Sequence, residues 1–537
     1  SGPLLPQLSH LLLALVAGLA QAASLAWPGS GQPLWWLQLV SMAVLAWLVR
    51  PAASAGSGLR TVRWQRGAIL GGVFGTAWLA GTFWWLFISM HSYGGLPAPL
   101  AVAAVLGLAA FLASYYAAAL ALFCRYAPVN RGGGALFFGA LWLLAELARG
   151  IWWTGFPWGA GGYAHVDGPL AVLARHMGVY GISAVAAALA MGLVQVRAAD
   201  LRSVPWWALL LAMGGLLAWA TVDRHCAVDL CHTPAHRRPA PLSLELLQGN
   251  IPQDEKFQPG SGVPVALQWY AEALRNAQAD LVVAPETAIP LLPQQLIPGY
   301  LEGIQQRYAQ GSQAAMVGIP LGDEAQGYTN SVLGMSAATQ AKPYRYDKHH
   351  LVPFGEFIPP FFKWFTEMMN IPLGDFNRGT VGQASFAVAG QRIAPNICYE
   401  DLFGEELGAR FIDPAQAPTV FVNFSNIGWF GDTLAIDQHL HISRMRALEF
   451  ERPMVRATNT GATAIIDHRG VVTHALERHT RGVLTGQVQG RGLSAEEGWA
   501  ITPYAWWVSR WGLAPLWAMG VCVVAGAAFV RRWRLRH

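Results

Sequence analysis

Long apolar segments occupy both ends of the chain. A helix that crosses a lipid bilayer needs about 20 mostly apolar residues. The whole sequence of 537 residues is 53% hydrophobic and only 12% charged, which is too apolar for a purely soluble protein. We therefore predict a polytopic α-helical membrane domain of eight helices, seven before residue 223 and one near the C-terminus. The predicted helices are 8 to 27, 34 to 49, 67 to 88, 98 to 124, 135 to 150, 170 to 196, 204 to 222 and 513 to 530.

The arginine residues between these segments indicate how the helices are oriented. Those that follow predicted helices two, four, six and eight share one side of the membrane if all eight helices cross in succession. They are Arg50, Arg60, Arg63, Arg66, Arg125, Arg131, Arg197, Arg202, Arg531, Arg532, Arg534 and Arg536. Basic residues favour the cytoplasmic side, so both termini are predicted to be cytoplasmic. The net charge of +5 is accounted for by this topology and does not require a nucleic-acid partner.

The stretch from 223 to 512 has the alternating pattern of a soluble α/β domain and lies on the outer side in this topology, in a bacterial periplasm or its equivalent. The predicted organisation is a membrane domain (1 to 222), an outer domain (223 to 512) and a last helix with a basic tail (513 to 537). Helices are predicted at 266 to 278 and 433 to 450. Strand-like runs occur at 242 to 248, 279 to 286, 314 to 320, 328 to 335, 385 to 390, 392 to 400, 419 to 426, 453 to 459, 463 to 467 and 483 to 488.

Three ionisable side chains follow runs of this kind: Glu286 after LVVAP, Lys348 after KPYRYD and Cys398 after RIAPNI. Active sites of layered α/β folds are often assembled where buried strands end. Each residue taken alone also fits a role without catalytic function, as a turn carboxylate, a surface lysine or a small buried hydrophobic residue. Lysine is scarce, which suggests that this chain uses a compact ammonium group at particular sites. Among the 36 basic residues, the lysines are Lys256, Lys342, Lys348 and Lys363.

The sequences around these three residues carry a family resemblance. APETAIP, YDKHHLVPFGE and NICYED resemble, in the same order, the contexts of the Glu-Lys-Cys triad of the nitrilase superfamily. QGNIPQ (248 to 253) and FSNIGWFGD (424 to 432) resemble segments of its membrane-bound branch, the apolipoprotein N-acyltransferase family. The resemblance covers essentially the whole chain. It implies an α-β-β-α sandwich for the outer domain.

The resemblance also implies roles for individual residues. Cys398 is expected to be the nucleophile, Glu286 its general base, and Lys348, with the backbone N–H of Tyr399, the donor to the oxyanion. Glu356 matches a family position that supports the lysine and the catalytic glutamate. Residues expected to line the substrate site are Phe257, Tyr399, Glu400, Trp429, Phe430, Phe357 and Trp364. Relatives often have tryptophan at the position of Phe257, so any role of an indole N–H is lost here.

The implied reaction has two steps. Cys398 takes an acyl chain from a phospholipid as a thioester, and the α-amino group of a diacylglyceryl-modified cysteine of an apolipoprotein then accepts it as an amide. Neither step needs a nucleotide, a metal or another cofactor. Two other functions fit the same residues: a membrane-tethered amidase or nitrilase-type hydrolase, with water as the acceptor, and a noncatalytic lipid- or lipoprotein-binding protein. The bacterial inner membrane is the expected location of the protein.

Three further features leave alternatives open. The aromatic and proline-rich segment 354 to 376 fits either a lipid-contacting lid or packing within the domain. Cys226 and Cys231 fit a disulfide, two free thiols, or a zinc site together with the neighbouring histidines. Glu146 is costly at membrane depth, and either a function or an ion pair with Arg149 would explain it.

Overall fold

The computed structural model describes residues 6–50, 52–53, 59–60, 64–128, 130–229, 240–359, 375–492 and 501–536. These residues form two compact units, which are described separately below. The first unit consists of Ser1–Trp84, Pro99–Cys231 and Leu513–His537, and the second of Trp85–Ala98 and His232–Gly512. The segment Trp85–Ala98 therefore belongs to the second unit, whereas the sequence predicted residues 85 to 88 as the end of a membrane helix and 89 to 97 as the connection to the next one.

The first unit is helical, and every predicted membrane segment contains a helix. The helices are α1 (Leu8–Leu25), α2 (Trp35–Val49), α3 (Trp64–Phe83), α4 (Ala98–Tyr126), α5 (Arg131–Ile151), α6 (Ala174–Val194) and α7 (Val204–Asp229), with Ala514–Arg536 at the C-terminal end. Within the described residues, four helices are long and apolar enough to cross a membrane, or six if each of two interrupted helix pairs counts as one span. Several membrane-crossing helices are thus supported, whereas the predicted count of eight is not established, because α2, for example, has only 15 residues.

Glu146 and Arg149 are both fully buried in this unit but are held by separate partners. The Arg149 guanidinium donates to the Tyr116 hydroxyl (2.9 Å) and to the main-chain carbonyl of Phe156 (2.9 Å). The Glu146 carboxylate accepts a hydrogen bond from the backbone N–H of Gly161 (3.3 Å). The contacts of the described residues therefore include no direct ion pair between Glu146 and Arg149.

The second unit contains two six-stranded sheets. The first sheet consists of β1 (Leu242–Gln248), β2 (Leu281–Ala284), β3 (Ala314–Asp323), β4 (Gly327–Met335), β5 (Tyr344–Asp347) and β12 (Gly482–Val488), in the order β12-β1-β2-β3-β4-β5. The second consists of β6 (Phe386–Val388), β7 (Gln391–Ile397), β8 (Val420–Ser425), β9 (Met454–Thr458), β10 (Ala464–Ile466) and β11 (Val472–Ala475), in the order β11-β10-β9-β8-β7-β6. In each sheet the three central strands, β1-β2-β3 and β7-β8-β9, are parallel.

The two sheets pack face to face through an apolar core. Leu244 and Val283 of the first sheet and Ile393 and Val422 of the second belong to this core, and all four are almost completely buried. On the outer face of the first sheet lie α8 (Gly262–Asn276) and α9 (Tyr300–Tyr308). The second sheet is covered by α10 (Gly404–Gly408), α11 (Ala435–Phe450) and α12 (Pro503–Trp511). The C-terminal helix Ala514–Arg536, which belongs to the first unit, is α13. The predicted α-β-β-α sandwich is confirmed.

Five elements of this unit have no counterpart among the predicted ranges: the strands β5 and β11 and the helices α9, α10 and α12. β5 and β11 are edge strands of four residues, YRYD and VTHA, and both have exposed positions. Short edge strands with polar residues lack the apolar pattern that identifies a central strand. The helix α9 has only nine residues and a low apolar content, so its sequence period is weak.

The ends of the parallel strands bring the candidate residues to one region. Glu286 follows β2, Cys398 follows β7 and Asn426 follows β8, while Lys348 comes directly after β5. Parallel strands that lie side by side present their carboxyl ends at the same edge of a sheet. The close pairing of β2 with β3 depends on Gly318, since a methyl group at this position would lie 2.2 Å from the carbonyl oxygen of Pro285.

We predict that Gly318→Ala distorts the turn that carries Glu286. The added carbon would also lie 2.8 Å from the Glu286 Cα, and backbone atoms cannot move aside as a flexible side chain can. Overpacking of this kind costs about 1–3 kcal/mol, so the apparent melting temperature of the purified protein should fall by several degrees. Gly303→Ala is the matched control, because the new methyl group on helix α9 would meet no atom within 4 Å. Equal melting temperatures for the two variants would contradict the prediction.

Candidate active site

A buried lysine lies at the centre of the candidate site. The Lys348 side chain is 1% exposed, and its Nζ atom lies 2.8 Å from Glu356 Oε2 and 3.6 Å from Glu286 Oε1. Burial by itself lowers the pKa of an ammonium group, but the two carboxylates outweigh this effect and raise the pKa of Lys348 above its usual value. Lys348 is therefore a permanent cation at physiological pH.

One amide side chain joins the two carboxylates. The Asn330 Nδ2 atom donates to Glu286 Oε1 (2.8 Å) and to Glu356 Oε1 (2.9 Å). The second oxygen of each carboxylate accepts a backbone N–H, from Asn426 to Glu286 (2.9 Å) and from Val352 to Glu356 (2.9 Å). These four hydrogen bonds hold both carboxylates in place beside the lysine.

Cys398 stands at the end of β7 in an unusual backbone conformation. Its φ of 49° is in the left-handed region, which costs a non-glycine residue about 1–2 kcal/mol. Burial and the nearby Glu286 carboxylate raise the pKa of the partly buried Cys398 thiol to about 12, although Lys348 and the Ser425 hydroxyl act in the opposite direction. The thiol is thus protonated at neutral pH and requires a base before it can act as a nucleophile.

Glu400 holds the strand end of Cys398 against the loop that follows Lys348. One carboxylate oxygen accepts from the backbone N–H of Ile397 (2.7 Å) and the Tyr346 hydroxyl (2.7 Å). The other accepts from the backbone N–H groups of His349 (2.6 Å) and His350 (3.2 Å). The sequence analysis assigned Glu400 to the substrate site. In the structure, both of its carboxylate oxygens accept hydrogen bonds from other groups of the protein.

Two other expected substrate residues pack against the segment Trp85–Ala98 of the same unit. The ring centroids of Phe430 and Trp85 are 4.4 Å apart, and those of Trp429 and Tyr93 are 5.7 Å apart. Both aromatic residues lie on the short turn that follows Asn426, whose backbone N–H holds Glu286. The aromatic contacts therefore stabilise a turn that also positions the carboxylate.

Of the four remaining residues expected to line the substrate site, the structure describes three. Phe257 is partly buried, and the Phe357 ring lies 4.6 Å from the Arg378 guanidinium carbon. Tyr399 is buried beside Cys398, with its ring centroid 5.2 Å from that of Phe403. Trp364 lies outside the described residues, as does most of the aromatic segment 354 to 376. The Cys226 side chain and Cys231 also lie outside them, so the alternatives for that pair stay predictions.

Lys256 was not predicted as a site residue. Its side chain is 3% exposed, and its Nζ atom donates to the backbone carbonyl of Glu286 (3.1 Å). Burial lowers the pKa of Lys256 to about 8, although Glu286 and Cys398 partly oppose the shift. The scarcity of lysine in the chain was the available signal, since two of the four lysines occupy this one site.

This two-sheet sandwich, with a buried carboxylate, ammonium and thiol near the ends of its strands, belongs to a recognised class. Residues 246–495 match the profile described as carbon-nitrogen hydrolase. Residues 17–192 match the profile described as the N-terminal domain of apolipoprotein N-acyltransferase. The chain therefore belongs to the apolipoprotein N-acyltransferase family.

Individual relatives agree with this assignment. A protein of Verminephrobacter eiseniae named apolipoprotein N-acyltransferase is 77% identical over 501 residues, which are 93% of this chain and 92% of that protein. One of the same name from Ralstonia nicotianae is 46% identical over 93% of this chain and 90% of its own length. Among solved structures, a carbon-nitrogen hydrolase from Helicobacter pylori G27 aligns with a TM-score of 0.35 and 14% identity, over 48% of this chain and 91% of that one.

We predict that Lys256→Met slows alkylation of Cys398 by iodoacetamide below pH 8 but has little effect above pH 9. Below pH 8 the Lys256 ammonium favours the thiolate, whereas above its pKa of about 8 the wild-type side chain is also neutral. The rate is measured by intact mass between pH 6.5 and 9.5, with Cys398→Ala as the blank for the other cysteines.

Lys342→Met, at an exposed lysine, is the control and should follow the wild type at every pH. A constant ratio of wild-type to Lys256→Met rates across the whole pH range would show that the charge of Lys256 does not act on Cys398.

Proposed function

We propose that this chain transfers an acyl chain from a phospholipid to the α-amino group of the N-terminal diacylglyceryl-cysteine of apolipoproteins, through a thioester on Cys398. Membership of the apolipoprotein N-acyltransferase family supports the substrate pair. The observation that carries the chemistry is the arrangement of Lys348, which contacts Glu286 and Glu356 in a buried network that also acts on the Cys398 thiol. We take Glu286, Lys348 and Cys398 as the catalytic triad and Glu356 as its support.

In the first step, Glu286 accepts the thiol proton and the Cys398 sulfur attacks the carbonyl carbon of the phospholipid ester. The negative charge moves to the carbonyl oxygen, which Lys348 and the backbone N–H of Tyr399 stabilise. An ammonium group has three N–H donors, so Lys348 can serve its two carboxylate neighbours and still donate to the oxyanion. The tetrahedral intermediate collapses, the C–O bond breaks, and Glu286 returns its proton to the departing lysophospholipid alkoxide.

In the second step, the α-amino group of the lipoprotein attacks the thioester carbonyl. Glu286 accepts a proton from the amine, the C–S bond breaks, and the thiolate regains a proton from Glu286 as the amide leaves. The same oxyanion donors act in both steps. No net charge enters or leaves the buried site in either step. The Glu286 carboxylate, whose two oxygens are hydrogen-bonded to Asn330 and Asn426, can therefore stay in place throughout the reaction.

The proposed substrates also account for a membrane location. Both substrates carry acyl chains that are costly to expose to water, and the first unit supplies several apolar helices. The arginine distribution supports an inner-membrane protein with cytoplasmic termini and a periplasmic catalytic domain at residues 223 to 512. Phe257, with its ring 6.0 Å from the Lys256 ammonium, and Phe357 are proposed to contact the lipid chains.

Variants of the triad should differ in how fast they form the acyl adduct on Cys398. With phospholipid alone, the wild type should accumulate an acyl adduct on Cys398, whereas Cys398→Ala forms none. Glu286→Gln should form the adduct much more slowly because it lacks the base. Lys348→Met should lose about 100- to 1000-fold in rate, the usual effect of removing one oxyanion donor.

The adduct is measured by intact mass and mapped by peptide sequencing. Glu324→Gln and Lys342→Met change exposed residues of the same types and should behave as the wild type. An adduct of undiminished yield in Cys398→Ala would rule out the thioester.

The acceptor is tested with purified enzyme, labelled phospholipid and a diacylglyceryl lipopeptide that has a free N-terminal amine. We expect the N-acylated lipopeptide as the main product, and none when the amine is acetylated beforehand. Free fatty acid as the sole labelled product would support the hydrolase alternative instead. Binding of both lipids without turnover would support the noncatalytic alternative.

A further inference from the structure

A buried histidine on α11 contacts the backbone of the nucleophile. His439 is 0% exposed, and its Nε2 atom lies 3.1 Å from the carbonyl oxygen of Cys398. The same nitrogen lies 3.0 Å from Asp401 Oδ1. The triad chemistry described above does not use this side chain.

The hydrogen bonds of the ring define its tautomer. The Arg456 Nη2 atom lies 3.0 Å from His439 Nδ1. A guanidinium group only donates hydrogen bonds, so Nδ1 must be the acceptor and the ring proton is on Nε2. The Nε2–H group therefore donates to the acceptors in front of it, which are the Cys398 carbonyl and the Asp401 carboxylate.

The partners of His439 are fixed in turn. The Ser443 hydroxyl donates to Asp401 Oδ2 (2.5 Å), and Arg456 Nη1 lies 3.6 Å from the same oxygen. Arg456 also donates through Nε to the backbone carbonyl of Ala462 (3.2 Å). All members of this network are buried, so the imidazole has one well-defined orientation.

The carbonyl that His439 holds is part of the peptide that links Cys398 to Tyr399. In a trans peptide the C=O and the following N–H are coplanar and point in opposite directions. Fixing the Cys398 carbonyl therefore also fixes the direction of the Tyr399 N–H, the proposed oxyanion donor. Asn423 Nδ2 donates to the same carbonyl at a longer distance of 3.2 Å.

We propose that His439 is a positioning residue: its Nε2–H group holds the Cys398–Tyr399 peptide so that the Tyr399 N–H points at the developing oxyanion. The left-handed φ of 49° at Cys398 makes this support necessary, since the chain does not favour that conformation by itself. The inference rests on the proposed function of Cys398 as the acyl-carrying nucleophile. It adds a group that acts through the backbone and does not touch the substrate.

The test compares two reactions of the same thiol. Acyl transfer passes through an oxyanion, whereas alkylation by iodoacetamide does not, so loss of the oxyanion donor affects only the first. We expect His439→Ala to lower kcat for acyl transfer about 100-fold, the effect of a misplacement of about 1 Å, with a much smaller change in KM and in alkylation rate. His439→Gln retains an N–H donor at a similar reach and should restore most of kcat.

His441→Gln is the matched control, because His441 is also buried on α11, where its Nδ1 atom lies 3.3 Å from Arg444 Nη1. It should leave both reactions unchanged. An unaltered kcat in His439→Ala would overturn the proposal. Parallel losses of acyl transfer and alkylation, with a lower melting temperature, would also overturn it, because they indicate a general structural role.

A second measurement observes the His439 ring in the unsubstituted protein and needs a variant only to assign its signal. In ¹⁵N-histidine solid-state NMR, with His439→Gln to assign the signal, a neutral ring protonated at Nε2 supports the proposal. An Nδ1–H tautomer or an imidazolium overturns it. If Cys398→Ala transferred acyl chains at the wild-type rate, the proposed function itself would fail, and this result is distinct from every His439 outcome.

Discussion

The buried contact between Lys348 and its two carboxylates is the interaction on which the site depends. An isolated charge in a protein interior is strongly destabilising unless it is paired and hydrogen-bonded. Lys348 contacts Glu286 and Glu356, and the second buried ammonium, that of Lys256, lies against the backbone of Glu286. Two ammonium groups and two carboxyl groups thus lie together beside the Cys398 thiol, so each buried ammonium has a polar partner.

This charge arrangement requires the ends of both sheets to be held together. Glu286 and Lys348 follow strands of the first sheet, whereas Cys398 and Asn426 follow strands of the second. Two contacts join them: the Asn426 N–H donates to Glu286, and Glu400 accepts hydrogen bonds from both the Lys348 loop and the end of β7. Since each contact crosses from one sheet to the other, the distance between Glu286 and Cys398 depends on how the apolar core packs the two sheets together.

The residues that could be predicted from the sequence are those with a distinctive local context. Glu286, Lys348 and Cys398 each have neighbouring residues typical of one family, and Glu356 has a fixed spacing from Lys348. Asn330, which bridges two carboxylates from 44 and 26 residues away, has no such context. His439 lies 41 residues from Cys398 on a helix whose every turn contains buried polar groups. Contacts of this kind depend on how helices and sheets pack, so residue type and spacing do not reveal them.

The different environments of the ionisable groups separate their roles in the reaction. The raised pKa of Lys348 keeps it charged, so it can donate hydrogen bonds to an oxyanion but is a poor proton donor. The raised pKa of Cys398, about 12, means that the thiolate exists only while its proton is on a neighbouring base. In the proposed mechanism, Glu286 is the base that takes this proton. In that mechanism the thiolate forms when Lys348 and the Tyr399 N–H can stabilise the product of its attack, and between turnovers the protonated thiol is protected from oxidants that react with thiolates.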